Sequence, residues 1–197
     1  MKPHTPKDNS TPQERLLEAA SHIFANEGFK AAKMRDIVDK ADVNLAAVNY
    51  YYGGKEGLYA AVMRHHITLA EQQYQYQTDV TLPAEKQLFH FIHNLMRRLF
   101  DQGSPSLIAR LMAWEMTDPS SVWKGVMDSY VHLQSDMLDK IIYQLVGEDT
   151  VMETVINCRF SIYGQCLLYY YSRHALRHLR PGLEYSIADI DRLTDHI

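Results

Sequence analysis

The sequence predicts an all-α fold in which a small N-terminal three-helix unit precedes a larger helical body. Three observations lead there. Apolar residues recur at spacings of three and four along nearly the whole chain, and alternation at two is almost absent. Gly and Pro fall between long periodic blocks rather than inside them. The 197 residues, 46% of them hydrophobic, suffice for a real core, either as one compact unit or as a small head on a larger body.

The elements follow in order. Residues 1–10 read as a flexible polar tail. Thr11 is the expected N-cap of the first helix, with Pro12 at its first position and Glu14 completing a capping box. Leu16, Ala19, Ala20, Ile23 and Phe24 form its apolar stripe and Gly28 its expected stop, which gives a helix over about 12–27. "MRDIVDKA" then places Met34, Ile37, Val38 and Ala41 on one face. "DVN" interrupts before a third helix starting at Leu45, for which Asn44 is the cap. Val48 and Tyr52 can face the core there, leaving Ala46, Ala47, Asn49 and Tyr50 outward. Three successive tyrosines, 50 to 52, cannot all point inward.

Gly53 and Gly54 make the turn into a long helix over about 55–76. Further periodic blocks run over about 84–102, 105–117, 120–146 and 149–174, divided by "DQGSP", "TDP" and "VGED". After "RPGLEY" a last block, "SIADIDRLTDHI", is amphipathic through Ile187, Ile190, Leu193 and Ile197. The expected organisation is a tail at 1–10, a three-helix domain at 11–54 and a larger helical domain at 55–197, whose roles as DNA-binding helix-turn-helix domain and as ligand-binding and dimerisation domain are what the resemblance described below implies.

A net charge of -4 argues against binding nucleic acid by bulk charge. The acidity is unevenly spread: residues 1–64 hold nine Lys and Arg against eight Asp and Glu, and the remainder eleven against sixteen. A near-neutral head can still carry a local basic face. No apolar run is long enough for a membrane span, and the N-terminus lacks the apolar stretch of a secretion signal, so the expected location is the cytoplasm. Cys158 and Cys166, eight apart on one expected helix, sit about 12 Å apart along its axis and cannot pair, as in a reducing compartment.

A short helix, a turn and a second short helix braced by a preceding amphipathic helix can present that second helix to a major groove. The stretch "LLEAASHIFANEGFKAAKMRDIVDKADVNLAAVNYYYGGKEGLYAAV" combines an aliphatic first helix ending in Gly-Phe, an "RDI" second helix, the small-residue reading helix, and aromatics followed by G-x-K-E-x-L. In that combination and spacing the head resembles the TetR family of bacterial transcriptional repressors. The resemblance implies that Asn44, Leu45, Ala46, Ala47 and Asn49 face DNA bases, and that Tyr50, Tyr51 and Lys55 touch phosphates or the groove wall. It further implies that Lys33 and Arg35, at the start of the second helix, contact the backbone. For Arg35 the alternative is a surface ion pair with Asp36 or Asp39. Many members carry Thr or Ser where this chain has Ala32 and Lys33, so a helix cap worth about 1 kcal/mol is expected to be lost.

The family's two C-terminal helices form a four-helix dimer interface, which the resemblance places here at about 150–174 and 186–197. Ordinary packing within one chain is the alternative. A cluster around "MAWEMTDPSSVW" mixes flat apolar rings with opposite charges in Arg110, Trp114, Glu115, Trp123, Met127 and Tyr130, as a pocket for a mostly apolar effector with one polar end would need. Core packing is the alternative for each of them. The stretch "WEMTDP" before a long helix also looks like the TetR branch with a CerR-type C-terminal domain.

An enzyme is not expected. The pairs His90/His93 and His174/His178 have helical spacing, but no nearby Cys, Asp or Glu completes a metal site; no Gly-rich phosphate loop or nucleophile elbow is present, and no cofactor is expected. The expected function is a ligand-responsive repressor that binds a palindromic operator as a homodimer and is released by a small organic effector. An effector acting as co-repressor, and a helical carrier or interaction module without DNA binding, stand as alternatives.

Overall fold

The computed structural model describes residues 10–74, 80–100 and 106–197. Most of the expected tail (1–9), the expected helix end near 76 and the "DQGSP" divider lie outside the described residues. Among the described residues every regular element is helical: α1 (Pro12–Ala31), α2 (Met34–Ala41), α3 (Leu45–Tyr52), α4 (Lys55–Gln73), α5 (Ala84–Phe100), α6 (Ser106–Thr117), α7 (Trp123–Val126), a π-helical turn (Met127–Val131), α8 (His132–Val146), α9 (Met152–Tyr171), α10 (Arg173–Leu179) and α11 (Ile187–His196). No helix among them is long and apolar enough to cross a membrane. The chain folds into two compact units, one of residues 1–66 with 110–123, the other of 67–109 with 124–197.

In the first unit, α1 opens with the predicted capping box. The Glu14 N–H donates to Thr11 Oγ1 at 3.2 Å, and the Thr11 N–H donates to Glu14 Oε2 at 2.7 Å. Leu16, Ala19, Ala20 and Phe24 are buried, as their spacing predicted. The helix does not stop at residue 27, however. Gly28 breaks the ladder with φ 78° and ψ 170°, and one further turn resumes up to Ala31. A left-handed φ at this point suits glycine alone.

Ile37, Val38 and Ala41 bury one face of α2. Its N-cap, Lys33, contributes no side-chain hydrogen bond, yet the helix forms from Met34 onward. The backbone supplies the bonds, since the N–H groups of Asp36 and Ile37 donate to the Lys33 carbonyl at 3.1 and 3.3 Å. Arg15 ties α1 to the end of α2 by donating from Nε to the Ala41 carbonyl at 2.9 Å.

At α3, Asn44 caps by accepting from the Ala47 N–H at 3.0 Å. Val48, 1% exposed, is the buried residue of α3. Tyr52 is half-buried and donates its hydroxyl proton to the Gln13 carbonyl at 2.9 Å. Gly53, in the left-handed conformation, ends the helix and donates its N–H to the Asn49 carbonyl. The corner into α4 is tight: a Cβ on Gly57 would fall on the Tyr52 carbonyl oxygen, well inside van der Waals contact.

The second unit packs α5, α8, α9 and α11 around Phe91, Ile92, Leu95, Met96, Leu138, Ile141, Val155, Ile162, Ile190 and Leu193. Two blocks differ from expectation. The expected helix over 120–146 begins at Trp123, after a turn in which the Trp123 N–H donates to the Ser120 carbonyl, and it contains the π-helical turn. The expected helix over 149–174 runs from Met152 to Tyr171; Ser172, at φ -94° and ψ 12°, separates it from α10. Cys158 and Cys166 are free thiols on α9. At α11, Ser186 and Asp189 cap reciprocally, and Asp189 Oδ2 also accepts from the Glu184 N–H.

Candidate nucleic-acid interface

The reading helix owes its exposed face to its shortness. With eight residues and Val48 taking the core contact, the rest of α3 is left toward solvent. Asn44, Leu45, Ala46 and Asn49 are exposed and Ala47 is half-buried. Tyr50, 83% exposed, presents its ring edge-to-face against Tyr51 at 4.9 Å between centroids. Small side chains beside two amides let the backbone approach base edges, while the amides and the Leu45 side chain supply hydrogen-bond and methyl contacts. The tyrosines offer hydroxyls suited to phosphate.

Lys33 and Arg35 stand exposed at the start of α2, on the same three-helix unit. Arg35 pairs with Asp39 at 3.8 Å, and both partners are so exposed that the pair contributes little stability. Lys55 is anchored more firmly than the sequence suggested. Its Nζ donates to the Lys30 carbonyl at 3.3 Å and lies 4.9 Å from the Phe29 ring centroid. Partial burial lowers its pKa, and the cation serves both the end of α1 and the start of α4.

A second layer of this unit comes from far along the chain. Trp114 lies over Gly28 so closely that a Cβ there would sit 2.9 Å from its Cδ2, and its indole N–H donates to the Ala25 carbonyl at 3.2 Å. Glu115 is 1% exposed. Its Oε1 accepts from the Tyr59 hydroxyl at 2.7 Å and its Oε2 from the Ser120 N–H at 2.9 Å. Burial, and then the Glu115 carboxylate, push the Tyr59 phenol pKa far up, so it remains a donor. Tyr59 in turn packs edge-on against Phe24 at 4.8 Å. Lys30 pairs with Asp118, Arg110 with Asn26, and the Ser121 hydroxyl donates to Glu56 Oε1 at 2.9 Å.

The residues expected at an effector are thereby divided. Arg110, Trp114, Glu115 and the half-buried Trp123 belong to the reading unit. Met127 and Tyr130 belong to the other, on the π-helical turn. Sequence reasoning missed Tyr59 and Gly57 altogether. The signal for Gly57 was present, as the glycine inside the K-E-G-L run, where helix propensity alone would disfavour it. Tyr59 carried no such signal, because its partner lies 56 residues away.

The buried Glu115 gives a local test. Glu115→Ala leaves the Tyr59 hydroxyl and the Ser120 N–H without their acceptor and is expected to lower the unfolding free energy by about 2–4 kcal/mol. Glu115→Gln keeps an acceptor and is expected to lose less than half of that. Urea unfolding followed by circular dichroism measures both, and equal losses would contradict the bonding assigned to the carboxylate.

The chain matches two family models. Residues 16–62 match that of bacterial regulatory proteins of the tetR family, and residues 84–197 match the C-terminal domain of the HTH-type transcriptional dual regulator CecR. The second agrees with the C-terminal branch that "WEMTDP" suggested. A probable HTH-type transcriptional regulator, YttP of Bacillus subtilis (strain 168), is 26% identical over 143 residues, which are 70% of this chain and 63% of that protein. The chain thus matches under two thirds of that relative's length. CecR of Shigella flexneri is 24% identical over 181 residues, 86% of this chain and 80% of its own. The crystal structure of HlyIIR, a hemolysin II transcriptional regulator, superposes with a TM-score of 0.65 at 18% identity, covering 94% of this chain and 96% of that one, and shows the shared fold.

Proposed function

Because the chain belongs to the TetR family of bacterial regulatory proteins, in the branch with the CecR C-terminal domain, we propose that it is a ligand-responsive transcriptional repressor of the cytoplasm. It binds a palindromic operator as a homodimer and is released by a small organic effector. The observation that carries this reading is the solvent face of α3, where two amides, two small residues and two tyrosines stand exposed or half-exposed around one buried valine. The small and polar residues of that face favour the repressor over a carrier or interaction module.

One head covers half a site, and a palindrome needs two heads about 34–36 Å apart or a multiple of it. The second copy is supplied through α9. Phe160, 63% exposed, lies on a solvent-facing stripe with Leu168 and Tyr171, and Gly164 between them has nothing within 4 Å of a Cβ position. Apolar side chains flanking a glycine suit close helix approach, and Ile187 at the start of α11 adds to the exposed apolar surface. The interface proposed from about 150–174 and 186–197 draws on these residues.

The effector shifts the dimer from its operator-bound state to its released state. To reverse operator occupancy from 99:1 to 1:99 it must prefer the released state by about 5.5 kcal/mol. Electrophoretic retardation of the promoter of its own gene and of its neighbours tests the reading. Salt-sensitive retardation of one fragment over a scrambled one is expected, and its absence from all of them would sink the repressor.

Within the interface the roles separate. Lys55→Ala is expected to weaken binding to specific and random DNA alike and to lower the salt slope by about one charge, whereas Asn49→Ala mainly relaxes base preference. Anisotropy titrations with both DNAs check this; identical losses on both DNAs for the two variants would contradict the assigned roles.

A further inference from the structure

Little of the surface of α3 holds it to its unit. Val48 is its one buried residue, with Ala47 and Tyr52 half-buried beside it. An eight-residue helix resting on so small a contact can tilt and turn about it, whereas side chains that read base edges must be held within about 0.5 Å. The direction in which α3 presents Asn44, Asn49 and Tyr50 must therefore be fixed at its ends.

Both ends are tied to the start of α1. Ahead of α3, the half-buried Arg15 grips the turn from α2: its Nε donates to the Ala41 carbonyl at 2.9 Å and its Nη2 to the Asp42 carbonyl at 3.5 Å, while Nη1 donates to the Ser10 carbonyl at 3.0 Å. Ala41 is the last residue of α2, where carbonyls lack partners within the helix and carry the negative end of its dipole, so a cation that donates there is favoured. Asp42 stands in the left-handed conformation at φ 51° and ψ 53°, which is costly for a residue with a side chain. Arg15 thus holds the peptide groups before and after the residue that turns the chain. Behind α3, the Tyr52 hydroxyl donates to the Gln13 carbonyl at 2.9 Å. Gln13 and Arg15 sit two residues apart, where the Thr11–Glu14 capping box sets the backbone. A planar guanidinium donating to three carbonyls fixes an angle as well as a distance, which one ammonium group cannot do.

We propose that Arg15 is a positioning residue for DNA reading: it holds the turn ahead of α3, as the Tyr52 hydroxyl holds the end behind it, and sets the direction in which α3 meets the bases without touching DNA itself. The inference rests on the repressor reading and deepens it by naming what orients the reading helix. An arginine beside such a helix invites a role at phosphate, but all three nitrogens of this guanidinium already donate to backbone carbonyls.

The full chain is compared with Arg15→Met, Arg15→Lys and Tyr52→Phe by anisotropy titration of its own promoter fragment and a scrambled one, at a temperature where circular dichroism shows each variant folded. Arg15→Met and Arg15→Lys are each expected to lower promoter affinity at least about tenfold, to change affinity for scrambled DNA less than about twofold, and to leave the salt slope unaltered. Tyr52→Phe is expected to act in the same direction, by about threefold or more. A phosphate contact predicts otherwise: Arg15→Met weakens both DNAs alike and lowers the salt slope by about one, and Arg15→Lys restores binding. That pattern, or an Arg15→Met variant that loses thermal stability but keeps the promoter preference, overturns the proposal. Should Arg15→Met fail to fold, Arg15→Lys and Tyr52→Phe decide. Hydrogen exchange reads the same tie without DNA: the amides of α3 are expected to exchange at least about tenfold faster in Arg15→Lys, with those of Ala19–Phe24 unchanged, and unaltered exchange in α3 overturns the proposal. If the wild-type chain itself does not distinguish promoter from scrambled DNA, the repressor reading falls, and hydrogen exchange alone decides whether Arg15 orients α3.

Discussion

Gly57→Ala is expected to abolish operator binding and to lower the unfolding free energy by about 3 kcal/mol, near the upper end of overpacking costs. The new methyl group would fall on the Tyr52 carbonyl oxygen, which is backbone and cannot rotate away. Relief requires moving either the end of α3 or the first turn of α4. The first carries Tyr50 and Tyr51, and the second carries Lys55 and the buried Leu58 and Tyr59. Either shift displaces the reading face relative to α1 by a sizeable fraction of an ångström, and hydrogen bonds to base edges do not tolerate that. At this chain length 3 kcal/mol corresponds to a fall in Tm of about 6–12 °C. Differential scanning calorimetry and promoter retardation measure the two effects. A variant with wild-type Tm and wild-type retardation would contradict the geometry of the corner.

Phe160→Glu combined with Leu168→Glu is expected to produce a folded monomer that no longer retards a palindromic fragment. Both side chains are exposed in the single chain, so the substitutions remove no intrachain core contact, and the fold should lose less than about 1 kcal/mol. In a two-fold interface each substitution occurs twice. Four carboxylates then meet where apolar side chains were buried, and losses of about 2–4 kcal/mol per central residue weaken the dimer by two orders of magnitude or more. Sedimentation velocity at micromolar concentration reads the assembly state directly. A double variant that still sediments as a dimer would place the interface elsewhere.

Features of the reading unit that depend on neighbouring residues were legible in the sequence. The Thr11–Glu14 capping box, the Asn44 cap, the inward Val48 and the half-buried Tyr52 all follow from spacings of three or four. The lost cap at Lys33 was legible too, but its consequence was not: backbone bonds to the Lys33 carbonyl suffice to start α2, and Ala32 beside it is buried. Gly28 was half legible. A glycine there predicts a break, yet whether the helix resumes depends on what packs beside it, and the Trp114 ring comes from 86 positions away.

Contacts of that range account for most of what was missed. The hydrogen bonds of Trp114 and Glu115 to Ala25, Tyr59 and Ser120 are of this kind, since no spacing along the chain shows them. Helical periodicity fixes which face of α6 is inward but not which element it meets. The π-helical turn was equally hidden, because a single wider turn carries no residue-type signature of its own. Arg98 is one of two adjacent arginines in the last turn of α5, where positive charge is ordinary. Its burial emerges only from the packing of α5 against its neighbours in the second unit.

The central claim is that two copies of this chain present α3 to the two halves of one palindrome. Anisotropy titration of a labelled promoter fragment, repeated from 50 to 200 mM salt with a scrambled fragment as control, tests it most directly. The prediction is a stoichiometry of two chains per fragment, an affinity at least about a thousandfold above the scrambled control, and a linear fall of log affinity with log salt. One chain per fragment, or equal affinity for both fragments at every salt concentration, would contradict it.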